Sequence, residues 1–169
     1  SYSDNNILTN NTAYNHSNRG IYIYYSVNNT LINNTAYNND KGIDFWSSDS
    51  NIVGNNDLHD NNYGIYVSYY SGLYPNISTA STIWGNLFYN NQYNAYESNY
   101  FNNWNLSNIG NSWDDFEDNS GYPHQYNIPG EGDGVDYYPV GAFSVTIISP
   151  ENGTEFGLVG QILINISFF

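Results

Sequence analysis

Sixteen acidic residues face two basic ones, Arg19 and Lys41, and three histidines in this 169-residue chain. Any polar chemistry must therefore come mainly from carboxylates, amides and phenols. An enzyme acting on polysaccharides works with clustered carboxylates, or with a basic residue and calcium. The adjacent acids Asp114-Asp115 follow Trp113, in a setting where a carboxylate accepts backbone hydrogen bonds more often than it transfers protons. Arg19 and Lys41 each precede a repeated glycine; they are expected to lie one coil apart and to offset acids such as Asp40. His16, His59 and His124 have no metal-ligand spacing, and His59 stands where tyrosine stands at Tyr14 and Tyr37. Glu131-Gly132-Asp133-Gly134-Val135-Asp136 sets oxygen ligands in a flexible, glycine-rich turn, which suits calcium. Glu131, Asp133 and Asp136 are thus a candidate structural cation site, although no bidentate acid follows at the spacing of a calcium loop. No catalytic set and no other cofactor is expected.

Two further groups of residues are suited to contact. Tyr22, Tyr66, Tyr69, Tyr70 and Tyr74 combine apolar area with a polar tip, which fits sugar rings or another protein surface. Asn-x-Ser/Thr sequons stand at Asn10, Asn15, Asn28, Asn33, Asn76, Asn105, Asn152 and Asn165 and permit glycosylation.

Composition narrows the classes. A net charge of -14 argues against nucleic acid or an anionic membrane as partner, since both need a basic surface. There is no Cys, so neither a disulfide framework nor thiolate chemistry is available. No apolar run is long enough to span a membrane as a helix. The absence of Met and the opening in mid-pattern suggest a processed or truncated piece of something longer. Asn supplies roughly one residue in five, but aromatics reach 18%, the opposite of a disordered composition.

The elements that must position these residues come from an internal repeat. Asn10-Asn11-Thr12-Ala13-Tyr14-Asn15 returns as Asn33-Asn34-Thr35-Ala36-Tyr37-Asn38 and as Asn55-Asn56-Asp57-Leu58-His59-Asp60. In parallel, Gly20-Ile21-Tyr22-Ile23 returns as Gly42-Ile43-Asp44-Phe45 and Gly64-Ile65-Tyr66-Val67, 22 residues apart each time. A degraded fourth copy runs through Thr82-Ile83-Trp84-Gly85-Asn86 and Asn90-Asn91. Apolar residues alternate with period two, as in strands. Strands this short cannot pair within one copy, so each must pair with its counterpart one coil above, about 4.8 Å away. The fold expected is an all-β, right-handed, single-stranded parallel β-helix of about four coils. Ile21, Ile43 and Ile65 should form one internal ladder, and Leu8, Leu31, Val53 and Trp84 another. Corner asparagines tolerate left-handed backbone and bond to the asparagines above and below.

These blocks, with Gly110-Asn111-Ser112-Trp113-Asp114-Asp115-Phe116, Tyr126-Asn127-Ile128-Pro129-Gly130 and Asp136-Tyr137-Tyr138-Pro139, resemble the NosD-like right-handed β-helix repeats. Their relatives include the carbohydrate-binding and sugar-hydrolysis type, common in archaeal, methanogen-like surface proteins. The resemblance covers about residues 3–141 and implies an exported β-helix closed by the Trp113 segment. It divides the chain into coils at 1–109 with an insert at 70–81 and a closing segment at 110–143. Residues 144–169 resemble the start of an immunoglobulin-like domain; alternatively they are strands donated to a neighbour.

The function expected is a non-catalytic extracellular module of a surface layer, sheath or filament, self-associating through Tyr- and Asn-rich faces and terminal strands. The alternative is a β-helix module that binds or cleaves polysaccharide.

Overall fold

The computed structural model describes residues 3–69, 80–98 and 102–141. Tyr70, Tyr74, Asn76, Asn152, Asn165, most of the 70–81 insert and the 144–169 segment lie outside the described residues.

Each coil contributes three strands. The first coil holds β1 (Ile7–Thr9), β2 (Thr12–Tyr14) and β3 (Arg19–Tyr24). The second holds β4 (Thr30–Ile32), β5 (Thr35–Tyr37) and β6 (Lys41–Trp46). The third holds β7 (Ile52–Gly54), β8 (Asp57–His59) and β9 (Tyr63–Ser68). The fourth holds β10 (Thr82–Trp84), β11 (Leu87–Tyr89) and β12 (Tyr93–Glu97). A closing segment adds β13 (Ser112–Trp113), a short 3-10 turn, β14 (Tyr126–Asn127), β15 (Val135–Asp136) and β16 (Val140–Gly141). Strands stack in parallel into three sheets: β1-β4-β7-β10, β2-β5-β8-β11-β13-β16 and β3-β6-β9-β12. The chain is a parallel β-helix, and its repeat is what makes it one.

The core is a set of ladders. Ile21, Ile43 and Ile65 are in register, as the repeat predicts, and Ala95 continues them. Leu8, Leu31 and Val53 also stack, but their fourth member is Ile83 rather than Trp84. Aligning Gly85 with Gly54 causes this one-residue error, which moves a side chain to the opposite face. Gly54 is a strand residue, whereas Gly85, with φ +63°, takes the left-handed corner held elsewhere by Asn10, Asn33 and Asn55. Trp84 therefore pairs with Gly54 on the outside of the first sheet.

The corners follow one rule. Left-handed residues open three corners of the coils, and an asparagine follows each of them except at His16. Asn5, Asn28 and Ser50 begin the first corner; Asn10, Asn33 and Asn55 the second; Asn15, Asn38, Asp60 and Asn90 the third. In the second corner, Asn34 donates its backbone N–H and its Nδ2 to Asn56 Oδ1, at 2.8 and 3.0 Å. Asn56 does the same to Asn86, and Asn86 to Asn111. Each Nδ2 also donates back to a carbonyl one coil below, as Asn56 does to Leu31. A corner of turning backbone inside a stack would otherwise leave N–H and C=O groups unpaired.

Every ladder ends on carboxylate. The second reaches Asp136, whose Oδ2 accepts from Asn111 N, Asn111 Nδ2 and Trp113 Nε1. The first passes from Ser81 through Asn102 to Glu97, which also accepts from Trp104 Nε1 at 2.6 Å. The third passes from Asn91 through Asn94 to Asp114 and Asp115. A carboxylate accepts and does not donate, so it completes a ladder with nothing above it. Beside these acids, Phe88, Trp113 and Tyr126 stack at 4.3 and 4.0 Å and close the core.

Candidate functional site

The third sheet carries the most developed outer surface. Its strands place Arg19, Lys41, Tyr63 and Tyr93 in one row and Tyr22, Asp44, Tyr66 and Tyr96 in the next, with Tyr24 and Trp46 beside them. Period-two alternation puts Tyr22, Asp44, Tyr66, Tyr96, Tyr24 and Trp46 outside because Ile21, Ile43, Ile65 and Phe45 point inward. The alternation breaks at Gly20, Gly42 and Gly64, so Arg19, Lys41 and Tyr63, two residues before the inward isoleucines, join the same outer face. Tyr66 and Tyr96 stack at 4.9 Å and Tyr63 and Tyr93 at 5.0 Å, while Tyr63 meets Tyr66 edge-on. On the second sheet a separate stack runs Tyr14, Tyr37, His59, Tyr89 at 4.6 to 5.1 Å. His59 thus occupies the tyrosine rung the repeat assigns it.

Asp44 interrupts the tyrosine row, and both cations fill the gap. Arg19 Nε hydrogen-bonds Asp44 Oδ2, and Lys41 Nζ lies 3.8 Å from the same oxygen. The partner of the two cations is therefore Asp44 and not Asp40, because Asp44 shares their sheet face. The Arg19 guanidinium lies 4.2 Å from the Tyr22 ring centre, and Lys41 Nζ 4.0 Å from that of Tyr66. These are cation–π distances. Asp44 is fully buried beneath this cover, and its Oδ1 has no hydrogen-bond partner. The Asp44 hydrogen bond raises the Arg19 pKa further, and burial raises the phenols of Tyr22, Tyr63 and Tyr66. The face is thus aromatic and uncharged except for this compensated cluster. Beside it Arg19, Tyr22, Tyr24, Tyr25 and Trp46 line an open groove of about 370 Å³. Tyr22 and Tyr24 lie 5.4 Å apart, and Tyr24 meets Tyr25 edge-on at 4.5 Å. Of the five tyrosines singled out in the sequence, Tyr22 and Tyr66 belong to this face, and Tyr69 follows its third strand. The contributions of Tyr24, Tyr63, Tyr93, Tyr96 and Trp46 were missed; counting back two residues from Ile21, Ile43, Ile65 and Ala95 finds the two cations, Tyr63 and Tyr93.

The acids have other employment. Asp114 accepts from Asn90 N and Asn94 Nδ2, and Asp115 from Asn94 Nδ2 and the Tyr126 hydroxyl. Of the candidate cation ligands, Glu131 and Asp133 are exposed, while Asp136 is buried with both oxygens hydrogen-bonded. The structure does not gather the three into one shell: no group of three or more metal-ligating side chains occurs among the described residues. The sequon residues Asn10, Asn15, Asn28 and Asn33 are exposed left-handed corners, and Asn105 is half-buried in the closing segment.

No curated protein and no solved structure matches the chain. The family model described as "Periplasmic copper-binding protein (NosD)" matches residues 1–118, the span that holds all four coils and the aromatic face, and the chain belongs to the NosD family.

Proposed function

We propose that this chain is a non-catalytic scaffold outside the cytoplasmic membrane, a module of a surface layer, sheath or filament. It assembles through the aromatic outer face of the third sheet, its asparagine corners and the strand-like sequence runs at 144–149 and 162–168. The aromatic face carries the reading, because Tyr and Trp there supply contact area at low entropic cost. The periplasmic description of the family supports a place beyond that membrane. Calcium at the 131–136 turn, and glycans at the exposed sequons, remain part of the proposal as accessories.

Copper, which the family description mentions, does not suit the residues present. The chain has no Cys and no Met. His16 and His59 occupy different rungs, and His124 stands in the closing segment. The His59 ring is sandwiched between Tyr37 and Tyr89, and its Nδ1 is paired with Asp60. Soft or imidazole-rich ligation is what copper selects.

Sedimentation and electron microscopy of the full chain, with and without calcium, test the scaffold. Ordered multimers are expected, and Tyr66→Ser/Trp46→Ser should weaken them while leaving the fold intact. Monomers at every concentration and calcium level would overturn it. A second reading, a polysaccharide-binding module, is favoured by the groove between Arg19 and Trp46, which has the size and aromatic lining for a sugar ring. Retention of the monomer in gels cast with neutral polysaccharide, lost in Trp46→Ala, would select that reading.

A further inference from the structure

The coils of the third sheet are not joined alike. At the first junction its outer rows pair Arg19 with Lys41 and Tyr22 with Asp44. At the second they pair Lys41 with Tyr63 and Asp44 with Tyr66. Only between the third and fourth coils do both rows set phenol on phenol, Tyr63 on Tyr93 and Tyr66 on Tyr96. The paired rings are 20° and 8° from parallel with centres 5.0 and 4.9 Å apart, and Tyr63 also stands 6.2 Å from Tyr96. This junction is also the longest in sequence. Equivalent asparagines are 22 residues apart between the second and third coils and 30 between the third and fourth. A longer connection loses more chain entropy when its ends are brought together, and the chain has no Cys with which to tie them.

We propose that Tyr63 and Tyr93 are an oxidative cross-linking site, joined ring to ring as a dityrosine by a haem peroxidase with hydrogen peroxide. Each phenol gives up one electron and its hydroxyl proton and becomes a phenoxyl radical. The two unpaired electrons form a bond between carbons ortho to the oxygens, and the hydrogens on those carbons move to the oxygens, restoring both phenols. Two electrons and two protons leave in all, and one hydrogen peroxide takes them up to become two waters. A radical couples with whatever phenol lies beside it, and parallel strands in register fix that neighbour. Tyr93 is 45% exposed, so an oxidant reaches it and its ring edge can turn toward Tyr63. In the companion pair, Lys41 Nζ lies 4.0 Å from the Tyr66 ring centre, and a positive charge there opposes loss of an electron. Tyr14 and Tyr37 also stack, at 5.1 Å, but His59 lies flat on the other face of Tyr37 at 5.0 Å and holds that ring in plane. A Tyr63–Tyr93 bond closes a loop around the insert and restricts the unfolded chain, as a disulfide does. The site does not depend on the scaffold reading, because both rings belong to one chain.

Treating dilute full-length protein with a haem peroxidase and hydrogen peroxide tests the site. Wild type, Tyr93→Phe, Tyr66→Phe and Tyr14→Phe are compared by dityrosine fluorescence, intact mass, peptide mapping and urea unfolding. Phenylalanine keeps the stack and lacks the hydroxyl that yields the radical, so each variant should fold; unoxidised urea unfolding serves as the control. Oxidised wild type should keep a single-chain mass less two hydrogens, carry a mapped bond from Tyr63 to Tyr93, and unfold at higher urea than before. Tyr93→Phe should lose most of the fluorescence and all of the gain in urea, whereas Tyr66→Phe and Tyr14→Phe should keep both. Fluorescence unchanged in Tyr93→Phe, a bond mapped to another pair, links only between chains, or no dityrosine in wild type would each overturn the proposal.

Discussion

Asp49 is 9% exposed at the corner before the first sheet. Burial raises its pKa to about 6, against an ordinary value of 3.8. Burial also raises Glu97 and Asp136, with their hydrogen-bond donors working the other way. A carboxyl that binds its proton more readily folded than unfolded adds stability as pH falls. For Asp49 that gain begins near pH 6 and is complete below about 4. Melting temperature should therefore rise on acidification from pH 7 to 4. Asp49→Asn should stabilise the protein at pH 7 by about 1–2 kcal/mol, discounted for partial solvent access, and do nothing at pH 4. A melting temperature that falls between pH 7 and 5, equally in both proteins, would refute the assignment. None of this was legible in the sequence, where Asp49 is one acid among serines; its burial depends on which strands flank the corner.

Strands and corners were legible to different degrees. The isoleucine ladder is written in the Gly-Ile repeat, so its register needed no structure. The Trp84 rung went wrong because glycine serves two purposes one residue apart, a flat strand position at Gly54 and a left-handed corner at Gly85. The asparagine ladders were visible at one corner of three, since serine, histidine and aspartate substitute at the others. Their acid ends were invisible: Glu97 and Asp136 carry no repeat signature, and Asp136 was assigned to a cation instead. The ladder chemistry makes a directional prediction. Asn56→Asp keeps the acceptor for Asn34 but replaces a donor with an oxygen facing Leu31 O and Asn86 Oδ1. With those groups buried, the loss should be about 3 kcal/mol or more in urea unfolding. Asp136→Asn, the reverse change at the end of the same ladder, should cost only about 1–2 kcal/mol, because one donor alone, Tyr138 N, loses its acceptor there. Equal losses would mean that ladder polarity has no energetic weight.

At the scale of the whole molecule, the two basic residues have a consequence for proteolysis. Arg19 and Lys41 are the only sites in the chain where a trypsin-like protease can cut. Both lie in adjacent strands of one sheet, 28% and 16% exposed, tied to the same buried carboxylate. Cleavage at Lys41 requires an inner strand to leave the stack, and Arg19, in the end strand β3, is held to the next strand by Asp44. Native protein should survive trypsin as one band, while urea-unfolded protein should yield fragments ending at residues 19 and 41. Rapid native cleavage would show that the third sheet opens on its own.

The asparagine ladders also give the molecule an electrical sense. Along the ladders each side-chain amide turns its oxygen toward the earlier coil and one N–H toward the later one, so their dipoles add along the axis, as peptide dipoles do in a helix. Their positive pole lies at the closed end, where Glu97, Asp114, Asp115 and Asp136 terminate them. Eight of the sixteen acids fall between residues 97 and 136, and Asp4 alone lies before the second coil. These formal charges outweigh the amide dipoles and leave the closed end strongly negative. Two such rods side by side lower their energy by lying antiparallel, each acidic end beside the other's neutral one.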